Sequence, residues 1–288
     1  MTYDLVLGDY AYSSWSLRGW LLFEKFDISN QMRMIDLSTQ DVADQIPEFA
    51  PARTVPTLRT PDGAIVSDSL AMAEELASRH PDAGIWPTDP KLRATARSLT
   101  AEMHSSFMAL RTECPMGLRV AYDWGNPSDA VRTDLKRLET LWSHAQGVAS
   151  HSGPWLFGDY CAADAFFAPV AARIAGFSLP VNDAAQAYVQ THLNDLAFRR
   201  WRAMGMVSGK TLPWCAQSHP HVLWPGPAPK AAKATDRSDS ENSTCPYSGK
   251  PVTHFLELDG RVFGFCNAFC RDKTVSDPEA WPAFVDLL

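Results

Sequence analysis

The spacing of apolar positions divides this chain into stretches of different character. Tyr3, Leu5 and Leu7 share one side of a period-two run, with Asp4 and Val6 on the other, and this predicts a strand. Trp20, Leu21, Leu22, Phe23 and Phe26 predict a buried helix after it, and Met32, Met34 and Leu37 a second strand, together a right-handed βαβ unit. Thr54-Val55-Pro56-Thr57-Leu58 leads into a third strand. Pro61-Asp62-Gly63 is a tight-turn sequence, and Ala64-Ile65-Val66 the returning strand. Ser67-Asp68-Ser69 then caps a helix that keeps Leu70, Ala73, Leu76 and Ala77 on one face. A βαβ unit followed by ββα is the thioredoxin-like α/β order, expected over residues 1–80.

A proline-rich connection over 81–90 marks a boundary, and beyond it the strand signal fades. Helices are predicted over 91–114, over 127–149 (Leu135, Leu138, Leu141 and Trp142 at helical spacing), from Cys161-Ala162-Ala163-Asp164 to Gly176, and as two shorter pieces within 183–204. Residues 90–215 therefore read as an all-helical bundle. Residues 225–244 carry Pro, Ala, Lys, Ser, Asp and Glu with few apolar side chains and read as a flexible linker. Residues 245–288 form a small cysteine-rich module. No internal repeat is visible.

At 45% hydrophobic and 20% charged residues the 288-residue chain has ample core for two domains and an appendix. A net charge of −7 argues against a general binder of nucleic acid or of anionic membranes. The N-terminus shows no basic leader with an apolar core, and no apolar run is long enough to cross a bilayer, so a cytoplasmic protein is expected. Six cysteines, half of them at 245, 266 and 270, point in that setting to metal rather than disulfides. Cys114, Cys161 and Cys215 read as small apolar residues.

Chemistry concentrates in Tyr10-Ala11-Tyr12-Ser13-Ser14-Trp15-Ser16-Leu17-Arg18, where the first strand turns into the first helix. A helix N-terminus has unpaired N–H groups and the positive end of the dipole, so it favours an anion. The serines equally suit a simple cap.

These features resemble the cytosolic glutathione transferases over about residues 1–215. Ser13-Ser14-Trp15-Ser16-Leu17-Arg18 is similar to the Ser-Ser-Cys-Ser-x-Arg motif of the zeta class, with Trp15 in the cysteine's place. Val55-Pro56-Thr57-Leu58 is similar to the family's Val-Pro-x-Leu segment, whose cis-proline exposes backbone to glutathione. Asp68-Ser69 is similar to its acidic-Ser pair, and Cys161-Ala162-Ala163-Asp164 to its capping box. The resemblance implies glutathione as co-substrate, its thiolate favoured by Ser13, with Ser14, Tyr10 and Tyr12 as rivals; a free thiol near pKa ~8.5 is mostly protonated at neutral pH. It implies that Val55 and Pro56 pair with the tripeptide, Asp68 meets its α-ammonium, and Ser69 its carboxylate. A small electrophile would sit between the modules, near Tyr12, Trp15, His104, Met108 and Arg111; Met103 and Phe107 accompany them at helical spacing, and bundle core is the competing reading. Twofold homodimers are also implied.

Cys245-Pro246-Tyr247-Ser248-Gly249 has the form of half a zinc knuckle with Ser248 at the second ligand position. Phe255 to Phe265 reads as a hairpin turning at Asp259-Gly260, and Cys266 and Cys270 lie about one helical turn apart. The spacing resembles the TRASH and YHS treble-clef modules. Three thiolates favour zinc or copper(I), with His254 the nearby candidate for a fourth ligand; a degenerate, metal-free knuckle is the alternative. The expected function is a glutathione S-transferase with a metal-binding tail. The alternatives are a non-catalytic redox or metal sensor on the same fold and a glutathione-dependent isomerase of the maleylacetoacetate isomerase type.

Overall fold

The computed structural model describes residues 2–149 and 153–288. Strand β1 (Tyr3–Leu7) leads through a loop to helix α1 (Ser14–Glu24), and β2 (Asn30–Met34) returns parallel to β1, Tyr3 opposite Asn30. β2 is an edge strand, so Met32 stays exposed despite the period-two pattern. After the short helix α2 (Val42–Gln45), β3 (Thr57–Arg59) and β4 (Ile65–Val66) form the expected hairpin, with Gly63 at the left-handed position its turn requires. The sheet order is β2-β1-β3-β4, and β3 is antiparallel to both its neighbours. One end of the sheet therefore collects three segments: the chain leaving β1, the chain entering β3, and the chain leaving β4 into α3 (Ser69–Arg79). Those are the segments in which sequence alone located the serines, Val55-Pro56 and Asp68-Ser69.

Gly19 lets α1 lie directly on the loop that enters β3. A Cβ there would stand 2.7 Å from the Pro56 Cβ, so a larger residue would push helix and loop apart. The Val55–Pro56 bond is cis, as the family likeness implied.

The second half is helical, with α4 (Pro90–Ser105), α5 (Met108–Glu113), α6 (Asp129–Ala149), α7 (Ala162–Gly176), α8 (Asp183–Asn194) and α9 (Leu196–Val207). The single helix expected over 91–114 is in fact two. Phe107 is buried with left-handed backbone (φ 63°), and Arg111 donates to the carbonyls of Ser106 (2.9 Å), His104 (3.1 Å) and Met103, closing α4 where the next turn would have been. Helix α7 is buried throughout and forms the axis of the bundle. Its start is fixed by Asp164, which accepts from Cys161 N–H (2.9 Å) and Tyr188 Oη (2.7 Å). A short ladder between β5 (Ala121–Tyr122) and β6 (His221–Val222) ties the chain beyond α9 back to the bundle.

The linker expected over 225–244 is not free chain. Residues Ala232–Thr235 form β7, which pairs antiparallel with β8 (His254–Leu258), itself paired with β9 (Arg261–Phe265). Backbone pairing needs no apolar side chains, and β7 covers the edge that β8 would otherwise present to water. Asp259 and Gly260 both have positive φ, as a two-residue hairpin turn of this kind demands. α10 (Ala268–Ser276) and α11 (Pro282–Val285) complete the tail. It docks against α9: Arg199 makes a two-pronged ion pair with the buried Asp277 (2.7 and 2.9 Å), and Leu256, Phe263, Phe265, Trp281 and Phe284 continue the core of the main body. No described helix is long and apolar enough to cross a membrane.

Candidate functional site

The opening turn of α1 divides its serines between tasks. Ser13 is the cap: its Oγ accepts from Ser16 N–H (3.2 Å) and donates to Ser16 Oγ (2.8 Å), which in turn accepts from Gly8 N–H (2.8 Å). The chain holds this turn from behind, since Asp9 Oδ1 accepts from Ala11 and Tyr12 N–H and Asp9 carbonyl from Ser13 N–H. Ser14 is equally enclosed, but its Oγ meets only the Arg173 guanidinium, at 3.4 Å, so its own proton is uncommitted. Ser13 gives its proton to Ser16 Oγ, whereas Ser14 has no acceptor among the described residues, which leaves Ser14 the freer donor of the two.

At the start of α3, Asp68 caps the helix through Oδ1 (Leu70 and Ala71 N–H, 2.8 and 3.0 Å) and pairs through Oδ2 with His104 Nε2 at 3.1 Å. Ser69 is buried and its Oγ has no partner within the protein. Thr54 Oγ1 donates to Ser67 carbonyl (3.0 Å), which ties the Val55-Pro56 loop to this corner. An uncommitted buried hydroxyl at a helix start, beside free loop backbone, fits a carboxylate-bearing peptide.

Trp15 leans toward the helical domain. It lies between Arg18 and Arg111, whose guanidinium carbons stand 4.7 and 5.1 Å from its ring, with the His104 ring edge-on at 5.3 Å. Burial, reinforced by Arg111 and Arg173 and opposed by Asp68, pushes the Arg18 guanidinium well down. Burial holds His104 below its ordinary range although Asp68 pulls the other way, so the ring is neutral at neutral pH. Arg18 bonds Phe166 carbonyl (3.2 Å), yet its Nη1 is buried without a partner.

Of the expected electrophile pocket, the structure brings together Trp15, His104 and Arg111. It does not add Met108, which is 64% exposed on α5, or Tyr12, which lies under the Arg119 guanidinium at 5.5 Å. The helix break at Phe107 rotates Met108 away from the helical spacing that had suggested it. Arg111 is neither solvated nor free, being spent on the end of α4. Tyr10, a rival thiol donor, is buried against Trp201. Sequence reasoning missed Arg173 and undervalued Arg18. The signal was there: after Asp164 in its first turn α7 is apolar but for Arg173, and such a residue must face something polar.

In the tail, the sulfurs of Cys245, Cys266 and Cys270 lie within 4.8 Å of one another. His254 is not among them: its Nδ1 is held by Thr253 Oγ1 (2.9 Å), which also donates to Cys266 carbonyl. Ser248, at the position of a second knuckle cysteine, donates its hydroxyl to Cys266 Sγ at 3.2 Å. Burial raises the Cys245 thiol, but the N–H groups of Cys266, Tyr247 and Ser248 and the Ser248 hydroxyl outweigh it and bring it down to about 7. Soft sulfur donors this close fit a thiophilic cation. Cys114 and Cys161 are buried as expected, while Cys215 is only partly so.

A thioredoxin-like half followed by a helical half, with anion-favouring helix starts at one end of the sheet, is the two-domain architecture of this chain. The family description "Glutathione S-transferase, N-terminal domain" matches residues 12–79. A Caenorhabditis elegans protein named "Probable maleylacetoacetate isomerase" is 32% identical over 158 residues, 54% of this chain and 71% of that one. The maleylacetoacetate isomerase of Dictyostelium discoideum is 28% identical over 153 residues, 51% of this chain and 67% of its own. Among solved structures, a Burkholderia glutathione transferase homologue with bound glutathione overlays with a TM-score of 0.52 at 24% identity, covering 70% of this chain and 96% of the other. Omega 2S glutathione transferase from Trametes versicolor gives 0.55 at 18%, covering 75% and 99%. At those identities the structures speak to the fold alone. The chain belongs to the glutathione transferase family.

Proposed function

We propose that the chain is a glutathione-dependent enzyme that adds sulfur to an electron-poor double bond in a small, carboxylate-bearing substrate. The observation that carries this reading is an uncommitted Ser14 hydroxyl at the mouth of α1 against the buried Arg173 guanidinium, with Arg18 and Arg111 flanking Trp15 close enough for their charges to act on one another. Glutathione supplies the thiol. Ser14 Oγ–H and the first N–H groups of α1 hold that sulfur as thiolate, while Ser13 keeps the turn in shape. Ser69 Oγ and the first N–H groups of α3 take the γ-glutamyl carboxylate, the half-exposed Asp68 the α-ammonium, and Val55 backbone the peptide. The arginines offset the substrate's carboxylate and the negative charge that builds on its conjugated carbonyl as the carbon–sulfur bond forms. Whether sulfur then leaves or stays separates isomerisation from conjugation. The names of the two relatives favour isomerisation of a maleylacetoacetate-like substrate, and the zeta-like serine motif agrees with them.

The test is retention on immobilised glutathione together with turnover of an unsaturated dicarboxylate, followed as isomer and as conjugate. Both should fall in a Ser14→Ala variant. Retention without turnover of that substrate or of a generic aromatic electrophile would leave the sensor reading, which the three-cysteine cluster favours.

For the tail we propose one zinc or copper(I) ion held by Cys245, Cys266 and Cys270 in a TRASH/YHS-like module. Metal analysis of the native chain and of Cys266→Ser decides it. We also propose a cytoplasmic homodimer, and a dimer mass in light scattering is the expected result.

A further inference from the structure

Phe269 lies between two of the clustered cysteines, and its ring stacks on Tyr10 of the β1–α1 loop (centroids 6.4 Å, planes 26° apart). Tyr10 stands edge-on to Trp201 of α9 (4.7 Å), and Trp201 packs on Trp20 of α1 (5.1 Å). A continuous row of aromatic rings thus runs from the cysteine cluster, through the loop that carries Ser13 and Ser14, into the helix they open. We infer that occupancy of the Cys245–Cys266–Cys270 cluster by a thiophilic metal ion controls glutathione affinity through the Phe269–Tyr10 contact.

The inference rests on the proposed metal-binding reading of the cluster and goes beyond it. Three features make the contact a linkage rather than an accident of packing. First, Phe269 is in the opening turn of α10, between Cys266 and Cys270, and Asn267 caps that turn through Cys270 N–H (2.8 Å). An ion drawing Cys266 and Cys270 together sets the angle at which this turn, and so Phe269, meets Tyr10. Second, the Lys273 ammonium faces the cluster from the next turn while resting on Trp281 (4.0 Å), Tyr247 (4.1 Å) and Phe269 (5.6 Å). A change of net charge at the sulfurs is therefore felt by a cation that also lies over Phe269. Third, the loop has little slack to absorb a shift of Tyr10. A Cβ on Gly205 of α9 would stand 3.2 Å from Ala11 backbone, Leu118 N–H holds Ala11 carbonyl (3.1 Å), and Asp9 ties Ala11, Tyr12 and Ser13. Motion at Tyr10 passes to the serines.

Coupling between two ligands is reciprocal, so it can be read from either side. Glutathione binding is measured by calorimetry on the full chain, once stripped of metal and kept reduced, and once loaded with one equivalent of Zn(II) or, separately, Cu(I). Loading orders the α10 turn, so glutathione should bind about five- to tenfold tighter to the loaded protein, and metal should bind tighter by the same factor when glutathione is present. In Phe269→Ala, a truncation at a residue 37% exposed, metal stoichiometry should persist and the ratio fall to about one. Equal glutathione affinity in the two wild-type states, or a ratio that survives Phe269→Ala, overturns the inference. So does failure to bind either metal, whereas glutathione binding by the stripped protein tests the enzyme reading separately.

Discussion

Ser14→Ala is the sharpest probe of the site. The hydroxyl is almost fully enclosed and backed by a buried guanidinium at 3.4 Å, so a hydrogen bond from it to a thiolate would not be diluted by water. Bonds to an ionised partner contribute about 1.5–3 kcal/mol, and about 1.4 kcal/mol corresponds to one pKa unit. Removing the hydroxyl should therefore raise the pKa of the bound glutathione thiol by about 1–2 units, back toward the free value near ~8.5. The thiolate absorbance of the complex, titrated against pH, reads this directly, and turnover below the wild-type pKa should fall by the same factor. Ser13→Ala should behave differently. It removes a cap, costs about 1 kcal/mol of stability in denaturant unfolding, and leaves the thiol titration nearly unchanged. If Ser13→Ala moves the thiol pKa and Ser14→Ala does not, the assignment of roles is wrong.

Three further outcomes follow from the packing. Gly19→Ala gains about 1 kcal/mol of helix propensity but sets a methyl 2.7 Å from Pro56; the clash, about 1–3 kcal/mol, should win, lowering Tm and weakening glutathione binding together. Asp277→Asn strands Arg199, 14% exposed, at the tail interface, and should cost about 3 kcal/mol, seen as earlier unfolding and faster proteolysis within 225–288. Burial raises the Asp164 carboxyl to about 6, so the folded state holds that proton more tightly than the unfolded chain. Its contribution is complete below about pH 4 and is lost as pH rises to about 6, a loss of about 3 kcal/mol that Asp164→Asn should remove from the stability profile.

Much of the architecture was legible because it rests on local periodicity. Alternation at Tyr3, Leu5 and Leu7, the Pro61-Asp62-Gly63 turn and the serine and aspartate caps are short-range signals, and the elements they announced formed. Where the reading failed, long-range contacts had overruled local pattern. Phe107 sits in a sequence that could continue a helix, yet a buried ring and the Arg111 caps end it. Residues 232–235 look like linker by composition, and became a strand because β8 offered an unpaired edge.

The amino-acid sequence by itself determined which residues could do chemistry: serines at a helix start, an acidic-Ser pair, and the cysteine pair Cys266 and Cys270. Motif and period are properties of neighbours in the chain, and those are written in its order. Only the tertiary structure decided that Ser14 lies against Arg173, that Arg18 and Arg111 flank one tryptophan, and that the tail touches the loop before Ser13. Each of those facts depends on groups far apart in sequence competing for the same hydrogen bonds and the same buried space, and that competition is resolved only when the chain packs.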